Sequence, residues 1–134
     1  MNQHEKLNYV EFPSSDLKAT KQFFIDAFAW EFTDYGPEYT AFDHQGLYGG
    51  FYQAPLSSIT ESGAALLVFY SADLEATMEK VKSAGGLISK AIFSFPGGRR
   101  FHFNEPSGNE LAVWCGQINE SIIPLTASYL ARLK

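Results

Sequence analysis

DLKAT, residues 16–20, returns as DLEAT, residues 73–77. Slid on itself by 57 positions, the chain superposes Asp16 on Asp73, Leu17 on Leu74, Ala19 on Ala76, Thr20 on Thr77 and Ala27 on Ala84. In both copies an aspartate stands just before a helical pattern, where its carboxylate can accept from the free N–H groups of the first turn. Leu74, Met78 and Val81 then recur at helical spacing, and Gly85-Gly86 supplies a left-handed stop. Leu17, Phe24 and Phe28 form the corresponding stripe of the first copy. Cap, stripe and flanking strands agree together, which predicts an internal duplication.

Upstream of each helix the pattern predicts a strand, Leu7 to Phe12 in one copy and Ala65 to Tyr70 in the other. Downstream, short β-type runs are broken by turn signals: Tyr39 to Asp43, Tyr48 to Gln53, Gly86 to Ile92, Arg100 to Asn104 and Glu110 to Cys115. Asp43-His44-Gln45-Gly46 and Glu105-Pro106-Ser107-Gly108-Asn109 read as hairpin connections, with glycine available where φ must be positive. Each half therefore reads β-α-β-β-β, an α+β class. Module 1 is expected at about 6–54 and module 2 at about 63–116, in a single domain over 1–134, with a C-terminal tail at 117–134. Aligning Gly46 with Gly108 also matches Thr40 with His102 and Gly50 with Ala112.

The bulk composition narrows the function classes. With 134 residues, 46% hydrophobic and 16% aromatic, the chain can bury a core of ordinary size without staples. The one cysteine, Cys115, has no internal partner for a disulfide. The first residues, MNQHEKLNYVEF, lack the apolar core of a secretory signal, and the longest apolar run, Ala64 to Tyr70, is too short to cross a bilayer. A cytoplasmic protein with no membrane partner is expected. A net charge of -5, with only Lys18/Lys21 and Arg99/Arg100 as local basic clusters, gives nucleic acid no surface to bind. In the tail, Ile122 and Tyr129 belong to an apolar set that would pack on the domain or on a second chain, through a short helix starting near Pro124.

Two stretches resemble the vicinal oxygen chelate superfamily, the glyoxalase, bleomycin-resistance and extradiol-dioxygenase fold. The first is VEFPSSDLKATKQFFIDAFAWEF, residues 10–32, where the family tends to have strand, aspartate-leucine, helix, then glycine-tryptophan. The second is GRRFHFNEPSGNELAVW, residues 98–114, close to the family's hairpin of acid-proline-x-glycine-asparagine. The resemblance covers Leu7 to Cys115 and is strongest to the glyoxalase-related bacterial branch. It implies a cupped mixed sheet built from the two modules, a homodimer, and, in some relatives, a site whose halves come from different chains. Ala29 departs from that branch, which often has glycine there. A left-handed helix end at Ala29 would cost roughly 1–2 kcal/mol.

In metal-bearing members each half offers two ligands into the concave sheet. One lies seven residues before the helix aspartate, the other four residues after the hairpin glycine. Carried onto this sequence, these positions are Tyr9 and Leu66, then Gly50 and Ala112, none of them His, Asp or Glu. Divalent metals in such sites take three or four converging oxygen or imidazole donors, and a phenol with a pKa of about 10 is a poor substitute. No cofactor and no intrinsic metal are therefore expected. The alternative is a metal-dependent enzyme resembling lactoylglutathione lyase or a dioxygenase.

Strand alternation predicts what lines the pocket instead. Val10 and Phe12 oppose Tyr9 and Glu11; Phe101 and Phe103 oppose His102; Leu111, Val113 and Cys115 oppose Glu110, Ala112 and Trp114. With the apolar faces on the helices, Tyr9, Glu11, His102, Ala112 and Trp114 look into the cup, joined by Leu66, Val68, Tyr70 and Thr40. Aromatic walls with one carboxylate and one imidazole have the form of a small-molecule site, and a small organic molecule is the expected partner. In the resemblance, the positions of Glu11 and His102 contact substrate in the family's thiol-transfer resistance enzymes. One reading makes Glu11 a general base, or His102 a general acid/base, at a carbon next to a carbonyl, in a glyoxalase-like lyase or isomerase. A second makes the cavity a sequestering site whose aromatic faces grip planar or cationic groups. The plain structural alternatives are an ion pair from Glu11 to a nearby Lys or Arg, and a hydrogen bond from His102 to a polar group on the neighbouring strand.

Overall fold

Both helices begin on the same hydrogen-bond arrangement. Ala19 N–H donates to Asp16 Oδ1 at 3.1 Å, and Asp16 N–H donates to Ser14 Oγ at 3.1 Å. The second copy repeats the pair with Ala76 and Asp73 at 3.1 Å and with Asp73 and Ser71 at 3.0 Å. In each copy the serine hydroxyl also meets the threonine of the repeated stretch, Ser14 with Thr20 at 2.8 Å and Ser71 with Thr77 at 2.7 Å. Both threonine and aspartate of the repeat thus serve one purpose: they dock the strand end onto the first helical turn, satisfying N–H groups that have no partner within the helix.

The computed structural model describes residues 2–116. Its elements run β1 (Tyr9–Ser14), α1 (Leu17–Phe28), β2 (Phe32–Asp34), β3 (Tyr39–Gln45), β4 (Leu47–Gln53), a 3-10 turn (Thr60–Ser62), β5 (Val68–Tyr70), α2 (Leu74–Ser83), β6 (Leu87–Phe95), β7 (Gly98–Asn104) and β8 (Glu110–Gly116). They form two four-stranded mixed sheets of identical design, β1-β4-β3-β2 and β5-β8-β7-β6, with the strand before each helix parallel to the last strand of its module. The two-module α+β architecture is thus as the sequence implies. The expected tail, including Ile122 and Tyr129, lies outside the described residues.

Several boundaries differ from the sequence reading, each for a local reason. β1 starts at Tyr9 rather than Leu7, and Leu7 is exposed. β5 is cut to Val68–Tyr70, so Leu66 precedes it. β2 is only three residues long, too short to carry a periodic signal. Pro13 is accommodated in β1 because that strand pairs on one side only and needs no ladder donor on the other. α1 ends at Ala29 with φ 58° and ψ 34°, its N–H donating to the Ile25 carbonyl at 2.9 Å, while Trp30 N–H reaches the Phe24 carbonyl at 3.2 Å. A non-glycine residue therefore does occupy the left-handed helix end.

One aromatic core joins the modules. Phe23, Phe24, Phe51, Phe101 and Phe103 are buried with Leu74, Val81 and Val113. Phe24 stacks on Trp30 at 4.3 Å, and Phe28 of α1 stacks on Phe69 of β5 at 4.4 Å. Polar links reinforce the joint: Glu105 accepts from Thr20 Oγ1 at 2.9 Å, and Asn109 Nδ2 donates to the Pro13 carbonyl at 2.7 Å. One face of each sheet is thus committed to this core, and the alternate side chains of the strands point to the opposite face.

Candidate functional site

On the second sheet, the face turned away from Phe101 and Phe103 carries Arg100, His102, Glu110, Ala112 and Trp114. Register fixes the neighbours: His102 stands opposite Ala112, and Arg100 opposite Trp114. His102 is 2% exposed and Glu110 9%. His102 Nδ1 lies 2.9 Å from Glu110 Oε2. A carboxylate only accepts, so Nδ1 carries a proton, and Nε2 is the ring nitrogen left without a protein partner among the described residues. Nε2 is buried and makes no hydrogen bond among the described residues.

Glu110 is itself held. Its Oε1 accepts from Thr60 N–H and Thr60 Oγ1, both at 2.8 Å. Burial alone would raise its pKa. The bonds from His102 and Thr60 outweigh burial and hold the carboxyl below its ordinary range. Glu110 therefore stays a carboxylate, fixing the tautomer and plane of the imidazole.

The rest of this face is aromatic. Phe93 lies 5.9 Å from the His102 ring, Tyr70 meets Trp114 edge-on at 5.1 Å, and Phe95 lies 6.2 Å from Trp114. Val68 and Tyr70 are exposed, at 43% and 58%. Of the expected lining, His102, Val68, Tyr70, Ala112 and Trp114 thus share this face. Leu66, ahead of β5, joins an apolar groove of about 470 Å³ with Val10, Phe12, Trp30 and Leu111.

Tyr9 and Glu11 belong to a separate group on the first sheet. Tyr39 Oη donates to Glu11 Oε2 at 2.9 Å, and Tyr9 Oη meets Tyr39 Oη. Burial, then the bonds to Tyr9 and Glu11, push the Tyr39 pKa well above the usual phenol value, so this hydroxyl keeps its proton and serves as a donor. Gly50 makes the arrangement possible, because a Cβ there would lie 2.2 Å from Tyr39 Oη. Glu11 is exposed and forms no ion pair among the described residues. No hydrogen bond or ring contact among the described residues joins the Tyr9–Tyr39–Glu11 group to His102.

Thr40 does not line either group, contrary to expectation. It is 1% exposed, stands opposite core Phe51, and donates to Asp34 Oδ1 at 2.8 Å on the helix side. A register shift in β3 between Phe42 and Gln45 is the cause. It displaces the first hairpin by one residue relative to the second, and one residue exchanges the faces of a strand. Ala41, paired with Gly50, occupies the place that His102 holds opposite Ala112.

The four positions that the resemblance marks as ligand positions, Tyr9, Leu66, Gly50 and Ala112, are poorly furnished with donors. Tyr9 is tied to Tyr39, Leu66 is aliphatic, Gly50 sits beneath a phenol, and Ala112 faces His102. A divalent cation seeks three or four oxygen or imidazole donors, and this set offers one phenol. A second copy of the chain would bring the same four residues. Among the described residues no group of three or more His, Cys, Asp or Glu converges. Among the described residues, the donors at these four positions do not fit a divalent metal.

Glu110, Arg100, Tyr39, Phe93 and Phe95 were not singled out from the sequence. Alternation already places Glu110 on the Trp114 side. Its pairing with His102 needs the register of β7 against β8, which the sequence does not print.

The family model for the Glyoxalase/Bleomycin resistance protein/Dioxygenase superfamily matches residues 6–113. No curated protein matches the chain. Among solved structures, a glyoxalase-related enzyme from Fulvimarina pelagi is 19% identical with a TM-score of 0.67, covering 84% of this chain and 88% of that one. A mutant of the fosfomycin resistance protein FosX from Listeria monocytogenes, complexed with Mn(II) and dihydroxypropylphosphonic acid, is 17% identical with a TM-score of 0.70, covering 92% and 99%. Lactoylglutathione lyase from Agrobacterium tumefaciens is 17% identical with a TM-score of 0.64, covering 86% and 96%. At these identities the likeness is one of fold.

Proposed function

The chain belongs to the glyoxalase/bleomycin resistance/dioxygenase superfamily, and from that premise we propose that it is an acid–base isomerase working without a metal on a small carbonyl compound. His102 is the proton carrier and Glu110 its positioning residue. The observation that carries the reading is the buried, unpartnered Nε2 of an imidazole whose other nitrogen is fixed by a carboxylate. In the step, a C–H bond next to the carbonyl breaks. The proton passes to Nε2, and the electron pair enters the new C=C bond with charge on the carbonyl oxygen. Return of the proton to the same or the conjugate carbon regenerates the neutral ring. General acid–base help of this kind contributes about 10²–10⁴-fold. Glu11, exposed and engaged by Tyr39, is the weaker candidate for the base.

Proton NMR in D2O tests this directly, following C–H exchange in a panel of 2-oxo acids and 1,3-dicarbonyls. Wild type is expected to accelerate exchange. Glu110→Gln is expected to slow it roughly 10²-fold and to move its pH profile. No exchange with any member of the panel would leave a purely sequestering protein, the second reading, which the exposed Tyr70 and the neighbouring Trp114 favour.

The metal-dependent alternative is tested by metal analysis of tag-free protein, with no stoichiometric divalent ion expected to survive dialysis. The active unit is taken to be a homodimer, because the exposed Tyr9, Val68 and Tyr70 lie on strands at the open edges of both sheets. Native mass spectrometry should read two chains, and a monomer would contradict this.

A further inference from the structure

Arg99 and Arg100 are adjacent on β7 and point to opposite faces of the sheet. Arg99 is satisfied, its Nη1 and Nη2 donating to the two oxygens of Glu75 at 2.6 and 3.1 Å. Arg100 is not: it has no hydrogen bond and no ion pair among the described residues, and its Nε is buried without a partner. Its guanidinium packs instead on Phe93 and Phe95, with Cζ 5.3 and 5.6 Å from the ring centres. Such stacking holds the guanidinium plane while leaving its N–H edge free to donate. Phe93 also touches the His102 ring, so the free guanidinium and the free Nε2 share one neighbour. The charged groups in register here are Lys90 opposite His102, which is exposed, and Glu110, already committed to His102 and Thr60.

We infer that this face takes a small planar carboxylate, its charge held by Arg100 and its flat body lying against Trp114 and Phe95. The inference rests on the reading of the His102 face as a small-molecule site, and it names the ligand class. An uncompensated guanidinium disfavours a planar cation here even though the whole chain is acidic. A guanidinium with a free edge matches a carboxylate in two parallel hydrogen bonds. The aromatic flanks, Trp114 with Tyr70 on one side and Phe95 on the other, suit an unsaturated or aryl body better than an aliphatic chain.

Calorimetric titration with cinnamate and 2-naphthoate, and with their methyl esters, tests the assignment. Neither acid has an acidic C–H next to its carboxyl, so affinity reports the anion clamp alone. The exchange experiment reports the base separately. Both acids should bind wild type, and both esters about 10- to 100-fold more weakly, the loss of a charge-assisted hydrogen bond. Arg100→Gln should reduce acid affinity to the level of the esters and leave ester affinity unchanged. Arg100→Lys, which keeps the charge, should recover part of the loss, and it guards against a folding defect in the glutamine variant. Equal binding of acid and ester to wild type, full acid affinity in Arg100→Gln, or no binding of either acid would overturn the inference.

Discussion

Two ring nitrogens of one histidine are treated differently by the protein. Nδ1 of His102 has a carboxylate at 2.9 Å, while the buried Nε2 has no hydrogen-bond partner among the described residues. Leaving a buried polar atom unpaired costs about 1–3 kcal/mol, and the fold bears that cost beside a fixed anion. The anion leaves a signature in pH. The folded pKa of Glu110 is lowered, so its stabilisation is complete above the ordinary carboxylate range and drains away as pH falls through the depressed folded value. Urea midpoints measured from pH 7 downward should therefore fall more steeply in wild type than in Glu110→Gln. Equal slopes would mean that the pair does not form. At this scale the sequence was partly legible. Alternation around Phe101 and Phe103 exposes the side of His102, and alternation around Val113 exposes the side of Trp114. Thr40 was misplaced because a bulge in β3 changes parity without changing composition. Arg100 was passed over because two adjacent arginines look alike until one is seen paired to Glu75.

At the level of elements, each module repeats its cap and carries its own peculiarity. Ala29 closes α1 in the left-handed region at φ 58°, a conformation that penalises a Cβ. Ala29→Gly should raise stability by about 1 kcal/mol, read as a higher urea midpoint; no gain would show that the strain is relieved elsewhere. The β7–β8 hairpin is anchored by Asn109. Its Nδ2 donates to the Pro13 carbonyl at 2.7 Å, and its Oδ1 accepts from Ser58 N–H at 2.7 Å. Asn109→Ala strands both groups, and a loss of about 3 kcal/mol is expected in the same measurement. The caps were readable because an aspartate before an apolar stripe has one local meaning. The anchoring was not, since Pro13 and Asn109 lie far apart in the chain. The hairpin's acid and asparagine show a pattern in the sequence, but the reason for it is tertiary.

Across the whole molecule, the modules share a core in which Phe28 of one stacks on Phe69 of the other. The chain has two tryptophans, Trp30 in the first module and Trp114 in the second, so each module carries its own fluorophore. Removing one while watching the other should give coincident unfolding midpoints, and Phe28→Ala should lower both together, for a loss of about 3 kcal/mol in unfolding free energy. Separate transitions would mean that the modules fold independently. Duplication was legible in the whole sequence, whereas the division of the helix-free faces into a Tyr9–Tyr39–Glu11 group and a His102–Glu110–Arg100 group was not, because it depends on pairing within each sheet. In the proposed function, this architecture moves a proton at His102 and holds an anion at Arg100. His102→Asn separates these roles most sharply, because the amide can still donate to Glu110 but has no counterpart of Nε2. The account predicts that this variant melts within a few degrees of wild type and loses carbonyl-adjacent proton exchange by roughly 10²-fold or more. Exchange at the wild-type rate in a folded His102→Asn protein would contradict it.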